Sequence, residues 1–72
     1  MNYAVIKVVN GNYEVASEHG DNLIGAKTSW CTLCASLWNA DEEVNAVVEL
    51  VDENLDAVDG FSMKISHPAK NA

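Results

Sequence analysis

Asp21-Asn22-Leu23-Ile24-Gly25-Ala26-Lys27-Thr28-Ser29-Trp30-Cys31-Thr32-Leu33-Cys34-Ala35-Ser36-Leu37-Trp38 is the stretch that decides the fold. Projected at about 100° per residue, Leu33, Ala26, Leu37, Trp30, Leu23, Cys34, Trp38, Cys31 and Ile24 form one apolar arc, broken only by Lys27. Thr28, Asn39, Thr32, Gly25, Ser36, Ser29 and Asn22 fill the opposite arc without an apolar member. A strand's period cannot sort side chains in this way, so one amphipathic helix is predicted. Asp21 or Asn22 caps it, and Asn39-Ala40-Asp41-Glu42-Glu43 ends it.

Both flanks read as hairpins. On the N-terminal side, Tyr3 to Val9 is rich in β-branched residues, and Asn10-Gly11 is the strongest two-residue turn signal. A type I′ turn there pairs Val9 with Asn12, Val8 with Tyr13, Lys7 with Glu14, Ile6 with Val15 and Val5 with Ala16. This register gathers Ala4, Ile6, Val8, Tyr13 and Val15 on one face and opposes Lys7 to Glu14 on the other. Ser17-Glu18-His19-Gly20 reads as a polar loop. On the C-terminal side, Ala46 to Val51 alternates as a strand, Asp52 to Asp56 turns, and Ala57 to Ile65 returns with Phe61, Met63 and Ile65 at alternate positions. Gly60 inside that run predicts a bulge. The expected fold is α+β, a two-layer ββαββ unit whose four-stranded antiparallel sheet carries the helix on one face. Residues 1–66 are expected to form the single domain and residues 67–72 a flexible tail.

Length and charge limit the function. Seventy-two residues, 49% hydrophobic and 21% charged, suffice for one small globular domain and exclude a doubly wound nucleotide fold or a barrel. Eleven Asp and Glu against four Lys and no Arg give a formal charge of −7. Without the guanidinium fork, direct binding to nucleic acid is not expected. Neither a targeting signal nor a membrane span is legible, so the expected location is the cytoplasm. In that compartment two cysteines are expected as thiols.

Three patterns touch on chemistry. Trp30-Cys31-Thr32-Leu33-Cys34 resembles the string that thioredoxin-like oxidoreductases present at a helix N-terminus, where the first thiol's pKa is depressed. Here Cys31 and Cys34 lie roughly nine residues inside the predicted helix, beyond its terminal field. Pro68 follows the last strand, whereas that family sets a cis-proline loop before a later one. A zinc site would have to recruit His19 and His67 at a spacing that matches no finger. Asp52-x-Asn54-x-Asp56 opens like a calcium loop but has Ala57 and Met63 where the glycine and the glutamate belong. Finally, no nucleophile, phosphate loop or carboxylate pair marks an active site. The expectation is a non-enzyme without cofactor or metal.

Three surfaces are candidates for binding. The helix's polar arc offers Gly25, Ser29, Thr32 and Ser36, small enough for close approach of a partner or of a second copy about a two-fold axis. The sheet face away from the helix is expected to carry Tyr3, Val5, Val9, Val47 and Val51, with nothing in the chain to cover them. Asp41, Glu42, Glu43, Glu49, Asp52, Glu53, Asp56 and Asp59 form an acidic run free of bases. Such a run either solubilises one face or mimics a phosphate backbone.

Several strings carry a likeness: Val5-Ile6-Lys7-Val8-Val9-Asn10-Gly11-Asn12-Tyr13, Ser17-Glu18-His19-Gly20, Leu37-Trp38-Asn39-Ala40, Val51-Asp52-Glu53-Asn54-Leu55-Asp56 and Ser66-His67-Pro68-Ala69. Together they resemble small uncharacterised proteins encoded by tailed bacteriophages and prophages of gut bacteria. Those proteins have other residues where Trp30 and Cys31 stand. The resemblance implies a phage accessory protein of no known activity. The leading expectation is therefore a protein-interaction domain that binds a protein partner or itself. The alternatives are an acidic inhibitor of a host nucleic-acid-binding protein and thiol chemistry at Cys31 and Cys34.

Overall fold

The computed structural model describes residues 1–70. Its elements are β1 (Tyr3–Val9), β2 (Asn12–Gly20), α1 (Leu23–Trp38), β3 (Val44–Val51) and β4 (Ala57–His67). The strands form one antiparallel sheet in the order β2-β1-β3-β4, and α1 packs on one face. The expected α+β ββαββ architecture is what the chain forms. Two hairpins meet along β1 and β3, leaving β2 and β4 at the edges.

Local chemistry accounts for the element ends. Asn22 caps α1, its Oδ1 accepting the Gly25 amide at 3.0 Å. A Cβ at position 25 would come within 2.5 Å of Asn22 Nδ2, so the glycine keeps room for the cap. Asn10 and Gly11, at φ 50° and 87°, supply the two left-handed residues of a type I′ turn. Asn10 also joins the hairpins, donating its amide to Asn45 O at 2.8 Å and accepting the Asn45 amide on Oδ1 at 3.1 Å.

From Val9↔Asn12 to Ile6↔Val15 the first hairpin has the expected register. Beyond it, Val5 pairs with Ser17 rather than Ala16, and Tyr3 with Gly20, so β2 is irregular at two places and extends through the segment expected as a loop. In β4 the register with β3 shifts between Glu49↔Ser62 and Val51↔Ala57. Gly60, at φ 85°, lies within the extra residues, where the bulge was expected.

The helix lies on the opposite face of β1 from the one expected. Val5 is 0% exposed and packs in the core with Ala26, Trp30, Cys34, Val44, Ala46, Val48, Leu50 and Ile65. Tyr3 and Val9 pack against the same cluster. The reason is Lys7. It shares a face with Val5 and Val9 and marks that face as solvent, yet it stays partly buried by pairing with Glu14 at 3.4 Å. Trp30 anchors the layers: its indole N–H donates to Val48 O at 3.0 Å, and its ring meets Phe61 edge-on at 5.0 Å.

The C-terminal boundary also moves. β4 continues through His67, whose ring stacks on Trp38 at 6.0 Å. Lys70 donates its amide to Asp41 O at 2.8 Å and its Nζ to Trp38 O at 3.0 Å. His67 to Lys70 thus close over the end of α1, where a frayed tail was expected; Asn71 and Ala72 lie outside the described residues.

Candidate functional site

The sheet face away from α1 is built by alternation. Paired residues share a face, so Ile6↔Val15, Val8↔Tyr13, Val8↔Val47 and Ala4↔Val51 set their side chains together on the outer side. Tyr13, Val15 and Val47 are 56%, 52% and 36% exposed. Of the residues expected on this face, Val47 and Val51 lie here, although Val51 is itself buried; Val5 and Val9 belong to the core side, and Tyr3 packs against the core while also lining the depression at one end of this face. Ala4, Ile6, Val8, Tyr13 and Val15 take their place.

One end of this face is concave. Ile6, Tyr13, Val15, Val51 and Leu55 line a depression of about 350 Å³ together with Glu18, Asp52 and Glu53. The β3–β4 turn shapes its rim. Asp52 Oδ1 accepts the amides of Asn54 at 2.8 Å and Asp56 at 3.2 Å, which explains the Asp-x-Asn-x-Asp spacing by local backbone bonding. The turn holds Leu55 at φ 63° with its side chain 67% exposed. Nothing in the sequence marks Leu55 for a left-handed backbone.

The small-residue arc of α1 has a different setting. Ser29, Thr32 and Ser36 line a groove of about 350 Å³ against Val5, Ala16 and Ser17, so this arc leans toward edge strand β2. Gly25 serves the cap instead.

The acidic run divides in two. Asp41, Glu42 and Glu43 precede β3, whereas Asp52, Glu53 and Asp56 follow it, and the eight residues of that strand separate them by about 23 Å. Asp59 lies in β4 beside Gly60, and Glu49 accepts a hydrogen bond from Ser62 at 3.1 Å on the outer face. Folding adds Glu18, remote in sequence, to the Asp52 group.

Cys31 and Cys34 are free thiols in the middle of α1, Cys31 exposed and Cys34 buried. Burial pushes the Cys34 thiol up, and Cys31 beside it pushes it further. An activated nucleophile needs the opposite shift. His19 and His67 stand on opposite edge strands, and among the described residues no three His, Cys, Asp or Glu side chains converge as metal ligands.

His67 sits at the C-terminal end of α1. Its Nε2 lies 2.8 Å from Leu37 O and its Nδ1 2.9 Å from Pro68 O. Two carbonyl acceptors satisfy an imidazolium, which donates from both nitrogens. The Pro68 and Leu37 carbonyls accordingly raise its pKa above the ordinary histidine value, aided by Glu42 and opposed by desolvation and Lys70.

Compared with protein-family models, curated proteins and solved structures, the chain has no significant match. No helix among the described residues is long and apolar enough to cross a membrane.

Proposed function

We propose that this chain is a non-enzymatic protein-interaction domain, a phage or prophage accessory protein acting in the host cytoplasm, and that it binds through the outer face of its sheet. One observation carries the reading. Helix α1 covers a single side of the sheet, leaving Tyr13, Val15 and Val47 exposed beside Ile6 and Val8. Contiguous apolar surface of this kind marks a contact site, whereas scattered single residues do not. The phage assignment rests on the sequence likeness alone.

Capture from bacterial lysate tests the surface. Val15→Glu with Val47→Glu places charge on the outer face without touching the core. Thr32→Glu with Ser36→Glu does the same to the groove beside β2. Circular dichroism establishes that both variants fold. Proteins retained by the wild-type chain should be lost by the first variant and kept by the second. Retention of the same proteins by the outer-face variant would contradict the proposal.

A further inference from the structure

We infer that the outer sheet face takes a cationic amphipathic helix from a partner protein. The inference rests on the reading of that face as a docking surface and names its occupant. The floor of the depression is apolar, with Ile6, Tyr13 and Val15, and its rim is anionic, with Glu18, Asp52 and Glu53. Among the described residues one ion pair exists, Lys7 with Glu14, so no cation lies within salt-bridge distance of these rim carboxylates. Of the four lysines, Lys7 faces the helix side, Lys27 lies 5.2 Å from the Phe61 ring and Lys70 bonds Trp38 O; only Lys64, opposite Val47, shares the outer face.

Leu55 adds an independent sign. Its left-handed backbone, φ 63°, is strained for a branched side chain, and the strain brings no burial within the chain, since Leu55 is 67% exposed. It presents an apolar contact at the acidic rim.

Charge selects among occupants. A second copy about a two-fold axis would set this anionic rim against itself, with −7 on each chain. Anionic lipid headgroups meet the same repulsion. An extended peptide laid on a sheet face would leave its own amides and carbonyls unpaired, because strand addition satisfies them only at an edge. A helix carries its hydrogen bonds internally and covers an open sheet face as a third layer. The seven residues of β1 span about 23 Å, matched by a helix of about 15 residues. Lysines or arginines flanking its apolar stripe then reach Glu18 on one side and Asp52 and Glu53 on the other.

Two synthetic peptides of about 16 residues test this. They share a leucine stripe and differ only in whether lysine or glutamate flanks it. Each is titrated into the isotope-labelled full chain and followed by amide and methyl chemical shifts. The lysine peptide should bind and shift Ile6, Val8, Val15 and Val47. The glutamate peptide should not bind, and Glu18→Lys with Glu53→Lys should weaken the lysine peptide by at least about tenfold. Equal binding of both peptides, shifts confined to Asp41–Glu43, or no binding of either would each overturn the inference. So would a doubling of solution mass abolished by Val15→Glu, since a second copy would then be the occupant. In all four cases the lysate comparison still decides separately whether the outer face docks a protein.

Discussion

His67 shows how one side chain can be settled by its acceptors. Both ring nitrogens meet carbonyl oxygens, so the protonated ring is the form that fits, and the folded pKa lies above the unfolded one. A raised pKa gives stabilisation that is complete below the unfolded value of about 6.5 and is lost as pH climbs through the folded value. Thermal melts of the wild type and of His67→Gln should therefore differ more at about pH 6 than at about pH 8.5. A difference that grows with pH would contradict the assignment. Trp30 is the residue on which the layers depend, through Val48 O and Phe61. Trp30→Ala should cost about 3–5 kcal/mol in denaturant unfolding. Trp30→Phe, which keeps most of the apolar volume and drops the N–H, should cost about 1–2 kcal/mol. Equal losses would show that the indole's hydrogen bond, rather than its bulk, holds the helix down.

Elements were legible where local chemistry is strong and obscure where pairing decides. The helix follows from its arc and the Asn22 cap, the first hairpin from Asn10-Gly11, and the β4 bulge from Gly60. The facing of β1 does not follow, because both of its alternating sets are apolar and Lys7 points to the wrong one. The missing information was the pairing of β1 with β3. Ile6 stands opposite Glu49, and Glu49 and Asn45 mark the outer side of β3. Without that register, Ile6, Val8, Tyr13 and Val15 read as core. The extension of β2 was hidden by its irregular register, and the end of β4 by a polar composition that looks like a tail. In the β3–β4 turn, Leu55→Gly removes left-handed strain of about 1–2 kcal/mol and adds chain entropy of about 0.5–1 kcal/mol to the unfolded state. The midpoint of unfolding should hold or rise slightly. A clear fall would mean that Leu55 is packed rather than presented.

Charge is the property of the whole molecule that the fold leaves least compensated. Eleven carboxylates share four lysines, and one ion pair forms among the described residues. Self-repulsion at this net charge opposes the compact state. Salt should therefore stabilise the chain, with the melting temperature rising between about 20 mM and about 200 mM sodium chloride. A fall would indicate that screened attractions dominate instead. On the proposed reading, the same charge disfavours a second copy on the outer face and leaves its apolar floor to a cationic partner.

Openness of that face in solution is the claim on which the account turns, and a soluble paramagnetic probe measures it directly. Methyl signals of Ile6, Val8, Val15 and Val47 should broaden strongly, while those of Val5, Val48, Leu50 and Ile65 remain sharp. Protection of Ile6 and Val8 equal to that of Val5 would mean that the outer face is already covered, and would contradict the account.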